Sequence, residues 1–212
     1  MKTYIIAEVG PNHNGDLNKA LKYVKTLSKT GCNAIKFQHG NPSKIYSNQS
    51  FFPNYQDDLK KNFISPQEAA KKRLLKNKDH VLIYKECVKN KVDYLCSAFD
   101  LNSLKFLNEN TKLKYFKIPS GEILSIDMLN YIRKFDKPII LSTGMATEEE
   151  IEFSINFLNR DKVKNITLLH CISSYPTNYR DINLKMIKKI SDKYDMQVGI
   201  SDHTTSIDIA GY

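Results

Sequence analysis

The segment Pro138-Ile139-Ile140-Leu141-Ser142 is followed, after a short connection, by Thr147-Glu148-Glu149-Glu150. The first stretch is a short apolar run bounded by polar residues, which is typical of a buried strand. The second places a threonine at a helix N-cap with a glutamate three residues later, and its acidic charge suits the positive end of the helix dipole. Together they predict one strand-and-helix unit of a parallel sheet.

The same alternation continues on both sides of this unit. Leu17 to Ser28 has the apolar spacing of a helix, Asp100 or Asn102 can cap a helix through Leu107, and Leu184 to Ile190 forms another. The predicted strands are Tyr4 to Val9, Asn33 to Gln38, Asp93 to Phe99, Tyr115 to Ile118, Pro138 to Ser142, Ile166 to Cys171 and Gln197 to Ser201. We therefore predict an α/β fold, a (β/α)8 TIM barrel in which about seven of eight strands are present.

Composition indicates an ordinary globular chain. Its 212 residues are 41% hydrophobic and 26% charged, and no linker interrupts them, so we expect a single domain over residues 1–212. No apolar run approaches the roughly 20 residues of a membrane span, and the N-terminus enters a strand pattern too soon for a signal peptide. We expect a cytoplasmic protein without a membrane partner. The four cysteines lie far apart and predict free thiols.

The formal net charge of +9 raises the question of nucleic-acid binding. Lysine supplies nearly all of this charge, whereas proteins that read bases favour arginine, and the lysines are spread along the chain. We therefore predict a solvated lysine surface and no nucleic-acid partner. A positive field of this kind would still attract an anionic substrate.

Residues 39–79 interrupt the alternation, because a connection between strand and helix usually has about two to six residues. The segment contains Tyr46, Phe51, Phe52 and Tyr55 and a lysine-rich helical stretch near Glu68 to Leu75. Two interpretations stay open at this point: an active-site lid, or an excursion with one extra helix.

Polar residues gather where the predicted strands end, often two positions apart and therefore on one face. In a parallel barrel all these ends open on the same side, so we expect the side chains to converge on one pocket. The pairs are Lys36 with Gln38, Ser120 with Glu122, Ser173 with Tyr175, and Ser201 with His203, joined by Glu8, Ser97, Lys117 and Ser142.

Lysines and hydroxyl groups in one pocket suit a phosphorylated carboxylate, since lysine supplies charge and serine donates hydrogen bonds to a small ligand. A lysine that ends a buried strand needs a partner or a ligand, so Lys36 and Lys117 are stronger candidates than single serines. His170 lies inside an apolar run and is expected to be structural. His203 lies at the functional end of its strand, which favours a ligand role.

The sequence around these residues resembles a known family, the nonulosonate synthases, which include sialic, legionaminic and pseudaminic acid synthases. Six stretches occur in the family's order across nearly the whole chain, and in register they are highly specific. They are IAEVGPNHNG at 6–15, IKFQ at 35–38, FKIPSGE at 116–122, ILSTGM at 140–145, LHCISSYP at 169–176 and GISDHT at 199–204.

The resemblance implies a role for each matching residue. His203 matches one of two histidines that bind a divalent metal, typically Mn²⁺, with Mg²⁺ or Co²⁺ as alternatives, and Glu8 matches a carboxylate beside it. Gln38, Glu122 and Tyr175 match positions that face an amino sugar. The positions that match phosphoenolpyruvate ligands are Lys36, Ser97, Lys117, Ser120, Ser142, Ser173 and Ser201.

The implied reaction condenses phosphoenolpyruvate with an open-chain N-acetylated amino sugar. The substrate would be N-acetylmannosamine or a di-N-acetylated 6-deoxy analogue, and the products a nine-carbon keto sugar acid and phosphate. The metal would polarise the sugar aldehyde, and the enol carbon would attack it before water adds and phosphate leaves. Glu8 is our candidate for orienting or deprotonating that water. Glu8 and the metal-binding His203 are therefore the predicted catalytic residues.

The family pattern continues beyond the GISDHT stretch with an eighth strand, a second metal-binding histidine and an antifreeze-like C-terminal domain. The sequence ends at Tyr212, so we expect a truncated barrel without that domain. A homodimer and a separately supplied C-terminal half both stay open as partners. Ser97 and Ile172 stand where many relatives carry threonine.

Two alternatives to this activity remain. Another phosphoenolpyruvate-dependent synthase, making keto-deoxy sugar acids, would have a similar barrel and similar lysines, although the NHNG and SDHT stretches argue against it. An inactive barrel fragment that serves as an assembly partner would explain the missing strand. The acceptor sugar also stays open, and the stretch at 118–122 leans towards a legionaminic-type enzyme.

Overall fold

The computed structural model of the protein describes residues 3–47, 51–52, 56–160, 162 and 165–211. The chain forms two compact units, the first up to Lys114 and the second from Tyr115 onward. The expectation of a single domain over the whole chain stays a prediction.

The first unit contains a parallel sheet in the order β1, β2, β3, and its helices lie between and after these strands. The elements are β1 (Ile6–Glu8), α1 (Leu17–Leu27), β2 (Ala34–His39), α2 (Pro42–Ile45), α3 (Asp57–Lys60), α4 (Pro66–Arg73), α5 (Asn77–Lys89), β3 (Asp93–Ala98) and α6 (Leu101–Asn110).

Alternation along β2 separates the core of this unit from its polar face. Ile35 and Phe37 are fully buried, and Phe37 stacks against the ring of Tyr94 from β3. Lys36 and Gln38 point to the opposite face, since successive side chains of a strand alternate. The predicted cap of α6 is confirmed, because the Asp100 carboxylate accepts from the backbone N–H groups of Asn102 and Ser103.

The excursion at 39–79 contains three helices, α2 to α4, within its described residues. The expectation of one extra helix was wrong, because Asn41 and Ser65 each cap a separate short helix that begins with proline. The lysine-rich stretch is helical as predicted, and it is α4. Its last residue, Arg73, donates to Asn14 Oδ1 at 3.3 Å, which ties the excursion to the loop after β1. Tyr55 lies outside the described residues, and the lid stays a prediction.

The second unit contains a parallel sheet in the order β4, β5, β6, β7. A short 3-10 helix at Ser120–Glu122 follows β4. The other elements are β4 (Phe116–Ile118), α7 (Ile126–Ile132), β5 (Ile139–Ser142), α8 (Glu148–Leu158), β6 (Ile166–Cys171), α9 (Lys185–Tyr194) and β7 (Gln197–Ser201).

Helix α8 begins as the sequence predicts. The Thr147 hydroxyl accepts from the Glu150 N–H, and the Glu150 carboxylate accepts from the Thr147 N–H at 2.7 Å, which completes a capping box. Helix α9 runs further than its predicted end at Ile190, to Tyr194, where Asp195 in the left-handed conformation ends it.

The four cysteines, Cys32, Cys87, Cys96 and Cys171, are buried and free, as predicted. None of the helices that the structure describes is long and apolar enough to span a membrane.

Buried histidines are a feature of the first unit that the sequence analysis did not identify. Burial lowers the pKa of His13 to about 4, lowers the pKa of His39, and lowers the pKa of His80 well below its ordinary value. His13 Nδ1 accepts from the Gly15 N–H at 3.0 Å, and His80 Nδ1 lies 2.8 Å from the hydroxyl of Tyr94. These rings are therefore neutral in the folded protein at neutral pH.

We expect stability to fall as the pH drops below 6.5, the ordinary pKa of histidine, towards 4, the folded pKa of His13. In that window the unfolded chain binds protons that the folded chain does not, so the free energy of unfolding falls with pH. Urea unfolding at pH 7 and pH 5 measures this loss. His13→Asn keeps an acceptor near Gly15 but does not titrate, so it should lose less stability between the two pH values than the wild type. An equal loss in both proteins would contradict the assignment.

Candidate active site: two groups of polar side chains

The polar group of the first unit lies on one face of β1, β2 and β3. The register pairs Glu8 with Lys36 and Lys36 with Leu95, and Ser97 follows two residues beyond Leu95 on the same face. Lys36 Nζ lies 2.5 Å from Glu8 Oε2 and 3.5 Å from Ser97 Oγ. Gln38 Nε2 donates to Glu8 Oε1 at 3.2 Å. The structure thus brings together all the predicted site residues of this unit.

The second unit repeats this construction with Lys117. The register pairs Lys117 with Ile140, and Ser142 lies two residues further along β5. Lys117 Nζ donates to Ser142 Oγ at 2.6 Å and to the Ile118 carbonyl at 3.0 Å, and both Lys117 and Ser142 are buried. In both units a lysine therefore reaches a serine on the next strand, two positions past its paired residue.

The remaining groups of the second unit lie at or just beyond the strand ends. Ser120 Oγ and Ser173 Oγ are 3.3 Å apart, which joins the segments after β4 and β6. Ser201 Oγ lies 3.2 Å from His203 Nε2. The ring of Tyr175 stacks on that of His203, with centroids 4.3 Å apart. Five predicted residues thus form two small contact groups at the strand ends.

The hydrogen bonds of His203 determine which of its nitrogens can bind a metal. Nδ1 lies 2.7 Å from the carbonyl oxygen of Ile172. A carbonyl oxygen only accepts, so Nδ1 carries the proton and Nε2 keeps its lone pair. Nε2 is therefore the nitrogen that could bind a metal, and the ligand role of His203 stays a prediction. In the part of the chain that the structure describes, no group of three or more His, Cys, Asp or Glu side chains is arranged to hold a metal ion.

Two further predicted assignments concern Glu122 and His170. Glu122 accepts from the hydroxyl of Ser125, a contact within the segment that leads into α7. His170 is buried, and its Nε2 lies 2.7 Å from the carbonyl oxygen of Ile182. This contact anchors the connection between β6 and α9, as expected for a structural histidine. The role of Glu122 stays a prediction.

Gly10 belongs to the site and was missed by residue-type reasoning. Its backbone is left-handed, with φ of +51°, and a Cβ there would lie 3.1 Å from Glu8 Oε1 and 3.6 Å from Gln38 Nε2. Glycine is favoured because it adopts this φ and leaves room beside the carboxylate. The IAEVGPNHNG stretch contains the glycine, but only the contacts show what it does.

Fold and site together define a parallel α/β protein with lysines and hydroxyls at its strand ends. The sequence pattern of the NeuB family matches residues 23–211. The chain belongs to the NeuB family. Over 99% of its length it is 42% identical to N,N'-diacetyllegionaminic acid synthase from Campylobacter jejuni subsp. jejuni. Over 96% of its length it is 32% identical to pseudaminic acid synthase from the same organism. It spans 63% and 59% of these two relatives.

A solved structure supports the predicted fold. It is the crystal structure of N-acetylneuraminic acid synthetase from Leptospira borgpetersenii serovar Hardjo-bovis in complex with citrate. The two share 32% identity and a TM-score of 0.83, over 99% of this chain and 68% of the other. The predicted fold class, α/β with seven strands of a (β/α)8 barrel, is confirmed, and so is the resemblance to this family.

The protonation of His203 is directly testable. We expect nitrogen-15 NMR of the imidazole groups at pH 8 to show the proton of His203 on Nδ1, because the Ile172 carbonyl holds it there. His203→Gln identifies the signal by removing it. A proton on Nε2 would contradict the arrangement and would argue against a metal ligand at this nitrogen.

Proposed function

We propose that this chain binds phosphoenolpyruvate and serves its condensation with an N-acetylated amino sugar. The observation that carries the proposal is the repeated contact of a strand lysine with a serine on the next strand, Lys36 with Ser97 and Lys117 with Ser142. Family membership and the names of the relatives support the same reaction. A di-N-acetylated sugar is favoured as acceptor, because the relative that shares 42% identity is a diacetyllegionaminic acid synthase.

The lysines are suited to an anion that carries both phosphate and carboxylate. Lys117 is buried, and its hydrogen bonds to Ser142 and to the Ile118 carbonyl hold the ammonium group in one position. A positive charge that is fixed and shielded from water attracts an anion more strongly than a mobile surface lysine does. Lys36, Ser120, Ser173 and Ser201 would supply further donors. Such binding orients the enol carbon for attack.

Glu8 would accept or direct the proton of the water that adds during the reaction. Its ion pair with Lys36 and the bond from Gln38 present it as an oriented carboxylate. The enol carbon bonds to the sugar aldehyde carbon, whose oxygen takes up a proton. Water then adds to the carbon that carries the phosphate ester. The bond between this carbon and the ester oxygen breaks, and phosphate leaves. Glu8 accepts or directs the proton of this water.

A divalent metal, Mn²⁺ in our proposal, would supply polarisation of the sugar aldehyde when bound. His203 offers Nε2 as one ligand, and Ile172 and Tyr175 keep its ring oriented through a hydrogen bond and stacking. Gln38, Glu122 and Tyr175 are proposed to face the sugar. We propose that the reaction takes place in the cytoplasm, and a homodimer is one form in which the chain could act.

Phosphate release tests the proposal. We expect the protein to release phosphate from phosphoenolpyruvate with Mn²⁺ and a di-N-acetylated 6-deoxy sugar or N-acetylmannosamine. It should be assayed alone and with the remaining segment of the Campylobacter jejuni relative. Calorimetry measures binding of phosphoenolpyruvate separately. Absence of both release and binding under all these conditions would reject the proposed function in favour of an inactive assembly partner.

Lys117→Met is the sharpest variant for this binding. We expect about 10- to 100-fold weaker phosphoenolpyruvate binding, which corresponds to one lost charged hydrogen bond. The fold should survive, because an apolar side chain of similar length replaces a buried charge. Lys22→Met is the matched control, since Lys22 is an exposed lysine of α1. Unchanged affinity in Lys117→Met would remove the main support for the proposal.

Glu8→Gln tests the proton role. Glutamine keeps the shape and the contact with Lys36 but cannot accept a proton, so we expect turnover to fall by about 100-fold or more. Phosphoenolpyruvate affinity and Mn²⁺ affinity should stay within about threefold of the wild type, because the ligands are intact. Turnover close to the wild-type value with metal binding preserved would show that Glu8 does not act on the water.

A further inference from the structure

Gly144, in the connection between β5 and α8, lies in unusually close contact with the end of β6. A Cβ at this position would lie 2.7 Å from Ser173 Oγ, 2.8 Å from Cys171 Sγ and 3.1 Å from the Cys171 carbonyl oxygen. Distances below 3.0 Å do not occur for real Cβ atoms. The φ of Gly144 lies outside the left-handed region, so lack of space and not backbone conformation requires glycine here.

The neighbours of Gly144 differ in how easily they can move. Cys171 is buried and is the last residue of β6, where it pairs with Ser201 of β7. Its carbonyl and thiol are confined by the sheet. Ser173 lies two residues beyond the strand and is exposed, so its hydroxyl can rotate about one side-chain bond at small energetic cost. A larger residue at 144 would therefore displace the Ser173 hydroxyl first.

Rotation of Ser173 would break a defined contact. Ser173 Oγ is 3.3 Å from Ser120 Oγ, and this pair links the segments that follow β6 and β4. A displaced hydroxyl would no longer be directed to the same point as that of Ser120. The substitution would thus change the position of a donor, in addition to the packing cost of its short contacts with Cys171.

We infer that Gly144 is a positioning residue. It leaves the space that keeps the Ser173 hydroxyl beside that of Ser120, so that both hydroxyls can bind an anionic substrate. The functional part of this inference rests on the proposed binding of phosphoenolpyruvate. The glycine contributes no group of its own to the ligand. It acts through Ser173, as Gly10 acts beside Glu8 in the first unit.

The test is a crystal structure and a binding series on Gly144→Ala. We expect the Ser120 to Ser173 Oγ separation to exceed 3.5 Å, the limit of a hydrogen bond. We also expect KM for phosphoenolpyruvate to rise about tenfold, with kcat changed less than threefold, because binding and not proton transfer is affected. Gly211→Ala is the matched control, since a Cβ at Gly211 would meet no atom within 4 Å.

A double-mutant cycle separates positioning from general destabilisation. If Gly144 acts through the hydroxyl, Gly144→Ala added to Ser173→Ala should change KM for phosphoenolpyruvate by less than about twofold. Should Gly144→Ala fold poorly, Gly144→Ala with Cys171→Ala removes the thiol conflict and keeps the conflict with Ser173. The same displacement and the same rise in KM are expected in that background.

The outcomes distinguish this inference from the proposed function. An unmoved Ser173 hydroxyl, or additive effects of the two substitutions on KM, would overturn the role of Gly144. A wild-type protein that does not bind phosphoenolpyruvate would overturn the proposed function, and the measured Ser120 to Ser173 separation would still decide whether Gly144 positions the hydroxyl.

Discussion

A charged ammonium group on a buried strand is the constraint on which the second unit depends. Lys117 lies in a strand whose residues are all buried, and a charge in that setting is costly unless polar groups surround it. Its partner Ser142 comes from the neighbouring strand, so the parallel register of β4 on β5 decides whether the charge is satisfied. A slip by one residue would turn Lys117 into the apolar layer.

In both units a helix is hydrogen-bonded to a segment that follows a strand. In the first unit, Arg73 of the excursion donates to Asn14, in the loop that follows β1. In the second, the buried hydroxyl of Ser154 on α8 donates to the Ile123 carbonyl at 2.6 Å. These contacts connect helices to segments that follow strands.

The sequence predicted those strands and helices whose residues strongly favour one type of secondary structure. All seven strands of the described residues were predicted, because short runs of Ile, Val, Phe and Tyr in parallel sheets are distinctive. Helices α6 and α8 were found from their caps. Helices α5 and α7 were not, since α5 begins after Lys76, which is not a usual cap, and the Ser125 hydroxyl before α7 bonds to Glu122.

By itself, the sequence determined the fold class, the family and the identity of the polar residues at strand ends, because these follow from local periodicity and from motifs in order. Only the tertiary structure decided which of those residues touch. The pairing of Lys117 with Ser142, the proton position on His203 and the space at Gly144 depend on atoms far apart in the chain. Strand register and close packing bring such atoms together, and neither is encoded in any single stretch of residues.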